Sequence, residues 1–365
     1  MRFLALLKKE LLQFTRNRGL VILVIYCFTL DVYIAGVGID LSLKNAKFYA
    51  YDMDFSAESR QMVSKLLPPW FAFHGYLLND SLIDEVLLND KAIGVVSIPS
   101  DFSKDLKKGR ARLQLLINGS EALMGYLFSG YAGQVFLDYS LKKAGIKKEN
   151  FPIAEEKTRV FFNPNMDSKY FMGISELLSV LVMLVFILPA AALVREKEMG
   201  NIEMLLISPV QPLEFMIAKV LVMAGIIIVG VTVSVFLIIK GILAVPFRGS
   251  FLLFLLFTLV FIFTTSGFGL FIGAAAKNML QASQLSILIL MPTLFLSGSW
   301  TPIEAMPAWM QPLTYISPLK YYMDASYGIA LKGVGLNFLW PELLGLTVLG
   351  LILFVLSIRL LKRVF

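Results

Sequence analysis

Side chains able to do chemistry are scarce in this chain. One histidine, His74, and one cysteine, Cys27, cannot build a His/Cys metal cluster or a Cys-His nucleophile, and neither G-x-S-x-G nor H-E-x-x-H occurs. The acidic pairs Asp52/Asp54, Asp84/Glu85 and Glu155/Glu156 are the right types for an acid and a base. Each lies in a polar stretch and reads as solvated surface. There is no G-x-x-x-x-G-K-[ST] loop to cradle phosphates, so nucleotide energy, if used, has to arrive from another subunit. The residues therefore predict no catalytic, cofactor-binding or metal-binding group on this chain.

The charges that stand out are Arg195, Glu196, Lys197 and Glu198, a knot at the end of a long apolar run. Such a cluster is costly in lipid and fixes where the run leaves the membrane. Gly200 then breaks the line, residues 202–207 read as a short helix carrying Glu203 and exposing Met204, Leu205 and Leu206, and Pro209 and Pro212 stop and turn it. Held between two rigid spans, this segment fits a lever pushed by a docked protein. It fits a plain interspan turn resting on the membrane equally well.

The elements that position it are membrane spans. A crossing needs about 20 apolar residues, and six runs qualify, near 20–39, 172–194, 216–239, 251–274, 282–299 and 342–360. The hydrophobic fraction of 57% and the charged fraction of 16% agree, since soluble chains carry about a quarter charged residues. The expected fold class is an α-helical polytopic membrane protein of six transmembrane helices. Arg2, Lys8, Lys9, Arg16 and Arg18 precede the first span, while Arg359, Lys362 and Arg363 follow the last, which places both termini in the cytoplasm. These flanks also account for the net charge of +7 without nucleic acid.

The expected organisation is a cytoplasmic amphipathic helix at 1–18, a first span at 19–39, an extracytoplasmic α/β domain at 40–170, and a five-helix transmembrane domain at 171–365 with a cytoplasmic loop at 195–215. The helix at 1–18 puts Phe3, Leu4, Leu6, Leu7, Leu11 and Phe14 on one side, as an interfacial helix does. It serves either to position the first span or to grip a cytoplasmic partner. In the external domain, extended runs are expected at 47–53, 92–98, 111–117 and 157–162, and helices at 56–67, 81–89, 101–108 and 120–144.

Within the spans, Gly267, Gly269 and Gly273 form a flat face suited to close subunit packing or to a translocation path. Asp31 and Glu176 lie near the outer ends of the first two spans, where an ionisable group is either functional or simply wet. A path lined by Leu, Ile, Phe and Met favours a hydrophobic or amphiphilic cargo over a small ion.

Two segments carry a family resemblance. Residues 193–221, LVREKEMGNIEMLLISPVQPLEFMIAKVL, strongly resemble the cytoplasmic loop of type-2 ABC exporter permeases, with Asn201 where threonine is common. Residues 295–333, FLSGSWTPIEAMPAWMQPLTYISPLKYYMDASYGIALKG, resemble that family's penultimate external segment, with Ser317 where asparagine is common. The layout is similar to that of the multidrug, sodium and linearmycin exporter subgroup.

The resemblance implies an ATP-driven exporter subunit in a bacterial or archaeal inner membrane. It implies a second permease subunit, identical or not, and ABC ATPase subunits, in two copies, that bind ATP and Mg. Membrane lipid and a further partner for the external domain complete the expected contacts. Arg195, Glu196, Glu198, Gly200, Glu203, Met204, Leu205, Leu206 and Pro209 would form the ATPase-coupling contact. Residues 300–341 would form a re-entrant hairpin shaped by Gly298, Pro302, Pro307 and Pro318. A membrane receptor or scaffold with an external ligand, and a membrane enzyme, are the other readings.

Overall fold

The computed structural model describes residues 2–38, 42–119, 122–145, 162–165, 167–200, 212–299 and 301–361. The chain divides into two compact units, Leu41–Arg159, and Met1–Asp40 with Val160–Phe365.

The smaller unit is an α/β fold. Strands β1 (Ala46–Asp52), β2 (Phe71–Tyr76), β3 (Gly94–Ile98) and β4 (Gln114–Ile117) form one sheet in the order β2-β1-β3-β4. β1 pairs parallel to β2 and β3, while β3 and β4 are antiparallel. All five residues of β3 are buried, as expected of the apolar run VVSI. Helices α4 (Ala57–Val63), α5 (Ser81–Leu88), α6 (Phe102–Lys107) and α7 (Ala122–Lys143) complete the unit. Phe128 of α7 packs edge-on to Phe71 at 5.3 Å, and Gly94 leaves the room that this ring needs on the sheet.

β2 has no counterpart among the expected strands. It starts at Phe71, one residue beyond Pro68-Pro69, and five of its six residues, Ala72, Phe73, His74, Gly75 and Tyr76, are at least partly exposed, so the alternation that marks a strand is blurred. The expected extended run at 157–162 lies, apart from Phe162, outside the described residues. The pair Asp52/Asp54 is a correction. Asp52 is buried rather than solvated: its Oδ1 accepts from the backbone N–H of Asp54 and Phe55 (3.0 and 3.1 Å) and its Oδ2 from the Ser59 hydroxyl (2.6 Å). It is the staple of a turn. Glu85 pairs at the surface with Lys91, and Glu155/Glu156 lie outside the described residues.

The larger unit is helical. α1 (Arg2–Arg16) precedes a first apolar helix made of α2 (Arg18–Tyr26), a π-helical segment (Cys27–Asp31) and α3 (Val32–Gly38). α8 (Lys169–Glu198) follows, then α9 (Pro212–Val233) extended by a π-helical segment to Ile242, α10 (Phe251–Ala275), α11 (Met279–Phe295), α12 (Pro318–Tyr327) and α13 (Leu336–Leu361). Among the described residues five helices are long and apolar enough to span a membrane, and the chain is a multi-pass membrane protein. The sixth, α11, has 17 residues, because its chain turns at Leu296 and Gly298 adopts a φ of +87°. The run expected at 282–299 thus starts and ends earlier.

α8 is apolar all round and buried along most of its length, as a central helix must be. α10 lies against it with Gly269 and Gly273. A Cβ at Gly269 would come within 2.9 Å of the Val185 carbonyl oxygen, and one at Gly273 within 2.9 Å of Leu193 Cβ. Pro189 has no N–H to give that Val185 carbonyl, so the glycine face closes on a backbone oxygen that the helix itself leaves free. Gly269 and Gly273 therefore pack within this chain, a correction to the expectation of subunit packing or a pathway. Gly267 is buried on the same helix.

Candidate functional site

The site grows from the charged end of α8, where three consecutive side chains leave in three directions. Glu196 is fully buried. Its Oε1 accepts from Lys9 Nζ of α1 at 2.6 Å and from Lys219 Nζ of α9 at 3.1 Å. Lys219, also fully buried, donates to Glu10 Oε2 of α1 at 2.8 Å. Two carboxylates and two ammonium groups thus form one neutral network across α1, α8 and α9. Phe215 covers it, with Lys219 Nζ 4.5 Å and Lys9 Nζ 5.5 Å from its ring centroid.

Burial pulls the Lys9 ammonium down, yet the hydrogen bond from Lys9 to Glu196 and the carboxylates of Glu196 and Glu10 outweigh it. Its pKa lies above the ordinary lysine value.

Lys197 turns the other way, to the carbonyl oxygens of Ala274 and Ala276 at the C-terminus of α10. A cation there satisfies carbonyls with no helical partner and complements the helix dipole. Glu198 accepts from the backbone N–H of Met279 at 3.0 Å, at the N-terminus of α11, the end that favours an anion. Asn278 caps the same end by accepting from Gln281 N–H. The knot therefore joins α8 to α1, α9, α10 and α11. Gly200, with φ of +71°, ends α8 in the left-handed turn that glycine adopts without cost.

Of the expected coupling residues, Arg195 is half-buried, Glu198 and Gly200 are exposed, and Glu196 is enclosed among helices. Glu203, Met204, Leu205, Leu206 and Pro209 lie outside the described residues. Glu196 thus meets its own chain rather than an outside surface.

Lys9 was legible only as one of the basic residues that precede the first span, and Glu10 and Lys219 went unread. The signal was there: Lys219 interrupts an apolar run, and an ionisable group at such a position demands a partner.

Two further groups of expected residues fall among the described ones. Asp31, at the end of its π-helical segment, and Glu176 on α8 are both partly exposed. In the segment after α11, Pro302 precedes a short turn (Ile303–Ala305), Pro307 is exposed, and Pro318 opens α12 at its first turn. Tyr322 of α12 is fully buried, not at an interface as its type suggests. It stacks on Phe261 at 4.5 Å and hydrogen-bonds Thr258 at 2.7 Å. Those partners lie seven and ten residues into α10, so α12 reaches about 10–15 Å along it. Trp309 and Tyr315 stay exposed.

Apolar helices tied at one end by a buried ion network, with a folded α/β unit inserted after the first of them, define a multi-pass membrane protein, and no cluster of His, Cys, Asp and Glu that could hold a metal ion occurs among the described residues. Residues 19–359 match the family described as ABC-2 family transporter protein, and the chain belongs to that family. It is similar to the inner membrane transport permease YhhJ of Escherichia coli K12, at 31% identity over 94% of this chain and 92% of that one. It is also similar to the probable multidrug ABC transporter permease YbhR of the same organism, at 29% identity over 95% of each chain. A third relative, ABC transporter G family member 20 of Dictyostelium discoideum, is 23% identical over 97% of this chain and 49% of its own length. The chain is the transmembrane permease subunit of an ABC exporter.

Proposed function

We propose that this permease pairs with a second permease subunit and two ATPase subunits, and that ATP and Mg bound to the latter drive export of a hydrophobic or amphiphilic compound from the cytoplasm or inner leaflet. The observation that carries the coupling is the buried Glu196 network. It clamps the two helices flanking residues 201–211, α8 and α9, to each other and to α1. A push on 201–211 is then delivered to three helices together, and through Lys197 and Glu198 to two more. In this reading 201–211 is the docking segment, with Glu203, Met204, Leu205, Leu206 and Pro209 on the contact, and Glu196 is the anchor behind it. α11 forms a short sixth span in this reading.

The membrane is a bacterial or archaeal inner membrane, with both termini and 201–211 in the cytoplasm and the α/β unit outside. The names of the relatives YhhJ and YbhR, an inner membrane permease and a probable multidrug permease, support the location and the cargo class. The test is purification of the tagged chain in mild detergent, beside a Glu203→Lys variant. A stoichiometric partner with a phosphate loop, weakened by Glu203→Lys, is expected. A chain recovered without any ATPase overturns the proposal.

A further inference from the structure

An open apolar groove runs between α1, α2 and α9, with a volume of about 730 Å³. Along α9 it extends from Leu221 to Val233, about 18 Å at the helical rise. One leaflet of a bilayer has a hydrocarbon depth of about 15 Å, half of the whole core. The lining is almost wholly apolar. Of its three side chains with polar atoms, Thr15 and Thr29 give their hydroxyls to the Leu12 and Ile25 carbonyls of their own helices. The third, Lys8, is exposed at the α1 end and has no ion-pair or hydrogen-bond partner among the described residues. Its neighbour Lys9 is committed to Glu196.

Two glycines shape the groove. A Cβ at Gly230 would strike the Phe28 ring at 2.2 Å, so glycine there lets that ring lie flat against α9. A Cβ at Gly225 would meet nothing within 4 Å, because Gly225 opens onto the groove.

We infer that this groove holds one acyl chain of an anionic phospholipid from the leaflet on which α1 lies, with its phosphate at Lys8. The apolar length matches one leaflet, and Lys8, the one cation of the groove lining and without a partner among the described residues, sits where that lipid places its negative charge. The inference rests on the proposed membrane placement of α1. A bound lipid would hold α1 against α2 and α9, next to the ion network that α1 shares with α8.

Native mass spectrometry of the detergent-purified complex, delipidated and then supplied with phosphatidylglycerol or phosphatidylcholine, tests it. The wild type should retain one phosphatidylglycerol per chain about five-fold more strongly than phosphatidylcholine, the preference expected of a single lysine near anionic charge. Lys8→Gln should remove that preference. Gly225→Phe, which fills the groove, should remove the adduct, and Val229→Phe, at an exposed lining position, does the same if Gly225→Phe does not fold.

Equal retention of the two lipids by the wild type, or an unchanged adduct in both filled variants, overturns the site. So does a permease dimer that the filled variants dissociate, since a helix of a second copy would then be the occupant. Loss of the adduct with ATPase capture intact touches only this site. Loss of ATPase capture with the adduct retained touches only the exporter reading.

Discussion

A buried charge is expensive unless paired, and the four charges around Glu196 cancel. Removing one leaves a net charge in the bundle. Lys219→Met is expected to destabilise the protein by about 3–5 kcal/mol, measured by thermal or denaturant unfolding in detergent. Adding Glu10→Gln removes the stranded carboxylate and leaves the Lys9–Glu196 pair, so the double variant should be the more stable of the two. Additive losses would mean that the residues do not act as one network. Lys9 adds a pH signature. Its pKa is raised in the folded state, so its contribution is complete below the unfolded value of about 10.4 and is lost as pH rises through the folded value. Lys9→Met should therefore be less stable than wild type at neutral pH and converge with it only in strong alkali. At this scale the sequence showed the knot 195–198 and hid its partners. Glu10 and Lys219 are separated by 209 positions, and nothing local couples them.

Between elements, packing is decided by how closely backbones approach. Gly269→Ala puts a methyl group against the Val185 carbonyl and must part α8 from α10, at a cost of about 1–3 kcal/mol. Gly225→Ala, whose Cβ meets nothing, should be neutral, and unfolding midpoints compare the two directly. The helices were legible because apolar runs of span length have few other uses: the expected 251–274 is α10 at Phe251–Ala275, and the expected 120–144 is α7 at Ala122–Lys143. What escaped was set by neighbours. β2 depends on pairing with β1, and the burial of Tyr322 depends on Phe261 and Thr258 of another helix. The small-residue spacing of α10 was visible in the sequence, but it cannot say whose helix fills the flat face.

At the scale of the whole molecule, the placement of Lys and Arg predicts which parts face inward. Cys27 is the only cysteine and is buried, so Cys27→Ser gives a clean background for single cysteines. Asp101→Cys, in the α/β unit, should react with an impermeant maleimide in intact spheroplasts. Lys277→Cys, at the exposed turn between α10 and α11, should react only after lysis. The reverse pattern would invert the topology. The cargo is not written in the sequence, since an apolar lining suits many amphiphiles.

The central claim is that the Glu196 network carries force from the docking segment into the helices. Its most direct test reconstitutes the permease with its ATPase in vesicles and measures export of a fluorescent amphiphilic dye and ATP hydrolysis together. The comparison is between wild type and Lys219→Met with Glu10→Gln, which unties α9 while leaving Lys9 on Glu196. The account predicts that hydrolysis continues while dye exported per ATP falls by about ten-fold or more, the equivalent of about 1.4 kcal/mol of coupling. Export per ATP equal to wild type in a folded double variant would contradict it.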